Sequence, residues 1–136
     1  MTIHIAYATD LDGEAIRVLV AGSGFAPETI NALDWSKLGA YWLKAVRDDE
    51  IIGCVQIAYA LPISRLEYLS VGDVSDITRA KVVKQLLSTG CAFLSEGGAQ
   101  IVSGTVPFPL KSYKRVLKKR GAVMTVQGNV FIKRIT

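Results

Sequence analysis

Three stretches rich in β-forming residues follow one another closely in the middle of the chain, at residues 41–46, 51–59 and 66–71. The first two flank Arg47-Asp48-Asp49-Glu50, a polar segment typical of a tight hairpin turn. The third is followed by turn-prone residues 72–76 and then by a long segment with helical apolar periodicity. A hairpin and a further strand leading into one long helix constrain the fold more than any other feature.

The long helix is predicted from apolar residues at helical spacing, and it should stop at Gly97-Gly98, where a left-handed turn is expected. The predicted buried face comprises Val83, Leu86, Leu87, Cys91 and Leu94.

Before the hairpin, residues 3–7 alternate in the manner of a short strand, and residues 9–12 offer a helix cap and an acidic first turn. The apolar stripe of that helix is predicted to comprise Leu11, Ala15, Val18 and Leu19. The helix should end at residues 22–24, and residues 27–33 indicate a short second helix.

After the long helix, residues 101–106 predict a strand and Pro107-Phe108-Pro109 a stiff connection. A basic helix follows and ends at Gly121, with an apolar stripe of Leu110, Tyr113 and Leu117. Two closing strands, at residues 122–126 and 130–135, are joined by Gln127-Gly128-Asn129, a tight-turn sequence. The element order is therefore β, α, α, β, β, β, α, β, α, β, β, which predicts a mixed α/β fold with helices on a sheet.

The length and composition fit a single domain over residues 1–136, since the chain is 50% hydrophobic and 21% charged. Residues 1–5 carry neither a basic nor an unbroken apolar stretch, and no segment approaches the roughly 18 apolar residues of a membrane span. Cys54 and Cys91 lie among apolar neighbours, which favours burial as reduced thiols. We therefore expect a cytoplasmic protein that does not enter a membrane.

Charge is distributed unevenly along the chain. Residues 1–64 carry 4 basic and 8 acidic side chains, whereas residues 65–136 carry 12 basic and 4 acidic ones. A basic second half favours a phosphate-bearing ligand, nucleic acid or an acidic protein partner, although solubility alone also accounts for it. The sequence lacks helix-turn-helix, zinc-finger and aromatic stacking patterns, which argues against nucleic acid.

The element order resembles that of the GCN5-related N-acetyltransferases (GNAT). Local similarities include the hairpin around Asp48–Gly53, Leu69-Ser70-Val71 before the long helix, and Lys118-Lys119-Arg120-Gly121 near the end. The resemblance covers nearly the whole chain. It implies a mixed, mostly antiparallel twisted sheet of six to seven strands with flanking helices, splayed in a V between residues 66–71 and 100–106.

The resemblance also implies an acyl-CoA site at this splay. The family's pyrophosphate loop usually reads Arg/Gln-x-x-Gly-x-Gly/Ala, where glycines let phosphate oxygens approach backbone N–H groups. Here the same place has no glycine from Asp73 to Gln85. We expect acetyl-CoA to bind weakly or undetectably, through residues Leu69, Val71, Thr78, Arg79, Ala80, Lys81, Val82 and Val83.

The resemblance further implies a general base at Glu67 and, less directly, an acid at Tyr113. The family's acid is a tyrosine four residues before a glycine in the penultimate helix, where this chain has Leu117. Tyr113 is the nearest phenol, and its place on an apolar stripe also fits the core.

Two functions remain open at this point. One is acetyl transfer from acetyl-CoA to an amine; the other is an inactive binding or structural module of the same fold, with an acidic partner. A homodimer is also compatible with the sequence. His4 is the only histidine, which argues against a His-based triad or a zinc site.

Overall fold

The computed structural model describes residues 2–39, 41–105, 115, 117–119, 121, 123–124 and 130–135. Among the described residues, three α-helices have assigned bounds: α1 (Gly13–Ala21), α2 (Pro27–Asn31) and α3 (Asp76–Glu96). A short 3-10 helix, Asp10–Asp12, leads into α1. The strands are β1 (His4–Tyr7), β2 (Tyr41–Arg47), β3 (Glu50–Ala58), β4 (Ile63–Val71), β5 (Ile101–Thr105), β6 (Val123–Met124) and β7 (Val130–Arg134).

The strands form one seven-stranded sheet in the order β1-β2-β3-β4-β5-β7-β6. Every pairing is antiparallel except that of β4 with β5. The predicted fold class, a mostly antiparallel mixed sheet of six to seven strands with flanking helices, is confirmed.

The β2–β3 hairpin closes through Asp48 and Asp49, both with left-handed backbone at φ 51° and 63°. Two consecutive left-handed residues match the right-handed twist of the flanking strands, and aspartate tolerates this conformation better than most residues. The predicted polar turn is therefore the hairpin turn.

Helix α3 begins at a side-chain cap and ends at the predicted glycines. The Ser75 hydroxyl accepts a hydrogen bond from the Thr78 N–H at 3.2 Å. At the other end, Gly98 takes the left-handed conformation, with φ 95°. The buried face includes four of the five predicted residues, and Cys91 is only partly buried.

Two apolar clusters pack on opposite faces of the sheet. On one face, α3 residues such as Leu86 pack against Val55 and Leu66 of the central strands. On the other face, Ile16 and Val20 of α1 pack over Trp42 and Cys54, together with α2.

The predicted apolar stripe of α1 is wrong. The buried residues of this helix are Gly13, Ile16 and Val20, whereas Leu11 is 96% exposed and Val18 is 56% exposed. Helical spacing alone allows either stripe, and packing selects the one that includes Gly13. A Cβ at Gly13 would lie 1.7 Å from the Trp35 carbonyl oxygen, so only glycine permits this approach.

Part of the predicted C-terminal region lies outside the described residues. Arg115 and residues 117–119 are helical, and Leu117 is buried as predicted. The predicted connection 107–109, Leu110, Tyr113 and the turn 127–129 are among the residues not described.

Candidate active site

Strands β4 and β5 pair over only part of their length. Parallel pairing runs from Ile63 opposite Ile101 to Leu66 opposite Gly104. Strand β4 continues to Val71, and within the described part of the chain residues 67–71 have no further partner in β5. The two strands are neighbours as predicted, and their pairing ends at Leu66.

Gly104 permits the last of these pairs. A Cβ at this position would lie 2.3 Å from the Leu66 carbonyl oxygen and 2.7 Å from the Phe131 ring. Real Cβ atoms do not approach backbone so closely, so glycine is required where β5 makes its last contact with β4.

Glu67 is the first residue of β4 beyond the last β4–β5 pair. Leu66 packs in the cluster on the α3 side, so strand alternation places Glu67 on the opposite face, with α1 and α2. Its side chain is 23% exposed, and its Oε1 lies 3.8 Å from the Arg65 Nε. Burial raises the pKa of Glu67, and the positive charge of Arg65 offsets this only in part.

A β-bulge follows Glu67 immediately. Cys54 pairs with Ser70 and Gln56 pairs with Glu67, so Tyr68 and Leu69 together face the single residue Val55. Tyr68 has a left-handed backbone at φ 57°. This conformation costs an aromatic residue roughly 1–3 kcal/mol.

The bulge puts Tyr68 on the same face as Glu67. The Tyr68 ring packs in the cluster with α1 and α2 and stacks on Trp42, with centroids 5.8 Å apart and planes 19° apart. The Phe25 ring also contacts Tyr68, with centroids 5.5 Å apart and planes 58° apart. Sequence reasoning missed Tyr68, because a bulge with a left-handed tyrosine has no signature in the residue types.

At the start of α3, one of the N–H groups that a helix start leaves free for a phosphate is already bonded within the chain. The Thr78 N–H bonds to the Ser75 hydroxyl, whereas the Arg79 N–H makes the first regular helical bond, to the Ser75 carbonyl at 2.8 Å. The Arg79 guanidinium, whose side chain is 20% exposed, donates to the Asp76 carboxylate at 3.1 Å and to the Gly72 carbonyl at 3.4 Å.

The other predicted cofactor residues fall into two groups. Leu69, Val71, Val82 and Val83 are buried in the core. Ala80 is partly buried and Lys81 is exposed. The side chains of Val82 and Val83 therefore cannot contact a ligand in solution, and a cofactor at this place would meet Thr78, Arg79, Lys81 and the backbone of β4.

A cleft of about 1040 Å³ opens at the same end of the sheet, between α1, the β2–β3 hairpin, the end of β4 and the start of α3. Ala15, Val18 and Leu19 line it; Ala15 and Val18 are exposed there, whereas Leu19 also packs against the cluster that contains Trp42. The charged residues of the cleft are Arg47, Asp49, Glu50, Asp73 and Arg79. Three carboxylates against two guanidinium groups do not favour a phosphate here.

Tyr113, the predicted acid, is not among the described residues, so its relation to Glu67 stays a prediction. In the part of the chain that the structure describes, no group of three or more acidic, histidine or cysteine residues is placed to hold a metal ion. No helix in that part is long and apolar enough to cross a bilayer.

Solved structures match the chain over its full length. A GNAT-family acetyltransferase from Staphylococcus aureus Mu50 superposes with a TM-score of 0.79 at 12% identity, covering 99% of this chain and 100% of that one. PaiA N-acetyltransferase from Thermoplasma acidophilum, solved with coenzyme A, gives a TM-score of 0.73 at 18% identity, with coverages of 98% and 99%.

A third structure, the GNAT-family N-acetyltransferase YhbS from Escherichia coli in complex with CoA, gives a TM-score of 0.70 at 17% identity. It covers 98% of this chain and 82% of its own. No family model and no curated protein matches the sequence. At such low identities the likeness shows the fold: this chain has the GNAT fold.

Proposed function

We propose that this GNAT-fold chain transfers an acyl group, such as acetyl, from acyl-CoA to a primary amine, with Glu67 as the general base. The observation that carries the proposal is the position of Glu67. It is a half-buried carboxylate at the point where β4 leaves β5, and its pKa is raised by burial. A base with a raised pKa in a partly desolvated position is what proton removal from an amine requires.

The fold comparison supports the choice of acyl-CoA, because two structures of this fold, PaiA and YhbS, were solved with coenzyme A. In this chain the backbone of β4 at Leu69 and Val71 would hold the amide-bearing arm, since residues 67–71 lack a β5 partner in the described part. Thr78, Arg79 and Lys81 at the start of α3 would meet the phosphates.

The residues of this proposed site are better suited to binding the amide-bearing arm of acyl-CoA than to binding its phosphates. The Ser75 hydroxyl already accepts from the Thr78 N–H, one of the N–H groups that a helix start leaves free, and the Arg79 guanidinium is already bonded to Asp76 and Gly72. Charge-assisted backbone bonds contribute on the order of 1.5–3 kcal/mol each, whereas exposed ion pairs contribute about 0–1 kcal/mol. We therefore expect activity with a low affinity for acyl-CoA.

Acyl-CoA, the proposed substrate, would supply a thioester. The amine nitrogen would form a bond to the thioester carbonyl carbon. The bond between that carbon and sulfur would break, and its electron pair would leave on the sulfur. Glu67 accepts the proton that the amine nitrogen loses. Its raised pKa makes it a stronger base than an exposed carboxylate, and Arg65 beside it limits how far the pKa rises. Tyr113 remains the proposed donor of a proton to the departing thiolate.

The test is the rate of thiol release from acetyl-CoA at millimolar concentration, with a panel of primary amines. The substitution Glu67→Gln should lower turnover about a hundredfold or more, the usual size for loss of a general base. The control Glu96→Gln removes an exposed carboxylate at the far end of α3, away from the cleft, and should leave turnover unchanged. Equal turnover in Glu67→Gln and the wild type would exclude Glu67 as the base.

A second candidate is an inactive binding module with an acidic partner. The capping of α3 by Ser75 favours it, because a helix start satisfied by its own side chain has less need of a bound phosphate. This candidate predicts no thiol release with any amine and no saturable binding of acetyl-CoA.

A further inference from the structure

Four aromatic side chains form a continuous layer on the face of the sheet that carries Glu67. Their ring centroids are 5.5 Å apart for Phe25 and Tyr68, 5.8 Å for Tyr68 and Trp42, and 5.8 Å for Trp42 and Trp35. We call Phe25, Trp35, Trp42 and Tyr68 the aromatic layer. Trp42 is only 2% exposed and forms its floor, whereas Phe25 and Tyr68 are partly exposed.

Tyr68 is held in this layer at a conformational cost. In a regular strand it would lie on the face opposite Glu67, and the bulge reverses it. The strained left-handed backbone thus keeps the Tyr68 ring on the same face of the sheet as the Glu67 carboxylate. Backbone strain of this kind concentrates at functional sites.

Phe25 reaches the layer from the connection between α1 and α2. Gly24 precedes it with a left-handed backbone at φ 89°, which sets the direction of the chain at this point. Phe25 therefore belongs to a surface connection, which is where binding residues are most common.

The charges beside the layer limit what can bind there. The faces of aromatic rings attract both apolar groups and a single ammonium group. The Glu67 carboxylate attracts one positive charge, and the 64% exposed side chain of Arg65, 3.8 Å from it, repels a second.

We propose that the aromatic layer and Glu67 together bind the acceptor, and that the acceptor is a primary amine with one positive charge on an aromatic or bulky apolar group. Polyamines are disfavoured. This inference rests on the proposed function in taking the bound amine as the acceptor, but the binding itself requires no acyl transfer.

Binding can be measured apart from activity, because the chain has only 2 tryptophans and both belong to the aromatic layer. The intact protein is titrated with 2-phenylethylamine and, separately, with spermidine, while tryptophan fluorescence is excited at its red edge. We expect a saturable change with 2-phenylethylamine and none with spermidine.

Variants locate the site. Phe25→Ala should weaken 2-phenylethylamine binding about tenfold or more, because one ring face is lost. Phe25→Tyr and Tyr68→Phe keep the rings and should bind within about twofold of the wild type. The matched control is Phe93→Ala, which removes a partly buried phenylalanine that contacts Tyr41 on the opposite face of the sheet. It should bind 2-phenylethylamine like the wild type.

The inference is overturned if 2-phenylethylamine causes no saturable change, if spermidine binds more tightly, or if Phe25→Ala binds as well as Phe93→Ala. A protein that binds 2-phenylethylamine through Phe25 but releases no thiol from acetyl-CoA supports the amine site and contradicts the acyltransferase proposal. The two proposals can therefore fail separately.

Discussion

Glu67 lies where a carboxylate is unfavourable for stability. Its side chain is 23% exposed, and its ionic partner among the described residues, Arg65, is at the long distance of 3.8 Å and is itself well exposed. Burial therefore dominates, and it raises the pKa of Glu67 above its ordinary value. A leucine or glutamine at this position would avoid that cost, so the carboxylate calls for a functional explanation.

The raised pKa predicts a specific dependence of stability on pH. A carboxyl group whose pKa is higher in the folded state stabilises the fold in its protonated form, and that stabilisation is lost as pH rises through the folded-state pKa. We expect Glu67→Gln to melt at a higher temperature than the wild type at neutral pH. The difference should shrink as pH falls below the ordinary carboxyl range.

Thermal unfolding followed by circular dichroism at neutral and acidic pH measures this difference. Glu50→Gln serves as the control for loss of a negative charge at an exposed position. A Glu67→Gln variant that melts at or below the wild-type temperature at neutral pH would show that the ionised carboxylate is not destabilising.

The candidate site could be predicted from the sequence only in part. The resemblance to the GNAT family pointed to Glu67, but the face on which it lies depends on pairing and was visible only in the structure. Tyr68 could not be predicted, because glycine or asparagine is the usual sign of a left-handed residue. Val82 and Val83, predicted among the cofactor residues, have side chains buried in the core, and any part of their backbone in binding a cofactor stays a prediction.

Among the elements, the pairing of β4 with β5 depends on Gly104. We expect Gly104→Ala to lower the free energy of unfolding by about 1–3 kcal/mol or more, the usual cost of overpacking, because the added methyl meets backbone at Leu66 and the Phe131 ring. Chemical denaturation measures this loss.

Gly22→Ala is the comparison for this experiment. Its added methyl would make only ordinary contacts, the nearest at 3.5 Å from the Val18 carbonyl oxygen, and its φ of −82° is open to any residue. If Gly104→Ala is no less stable than Gly22→Ala, the close approach of β5 to β4 does not require glycine.

Element order was more predictable than helix orientation. The strands were predicted from β-forming residues, the hairpin turn from its paired aspartates, and the end of α3 from its glycines. Each of these signals acts locally. The buried face of α1 was not, since Ala15, Val18 and Leu19 form an equally good apolar stripe. Tertiary contacts select the stripe that faces the sheet: the close approach of Gly13 to Trp35 and the packing of Ile16 and Val20 in the cluster with Trp42.

For the molecule as a whole, one end of the sheet brings together the features that bear on function. The unpaired half of β4, the start of α3 and the cleft of about 1040 Å³ all lie there. In the proposed function this end of the sheet holds acyl-CoA, and we expect its residues to bind the phosphates weakly. The proposal for the whole molecule is therefore acyl transfer with a low affinity for acyl-CoA.

Calorimetric titration of the protein with acetyl-CoA at physiological salt measures this affinity. We predict saturable binding with a dissociation constant above about 100 μM, which corresponds to only about 5–6 kcal/mol of binding free energy. A micromolar or tighter constant would contradict the weak phosphate site at the start of α3. Absence of saturation at millimolar acetyl-CoA would contradict the acyltransferase itself.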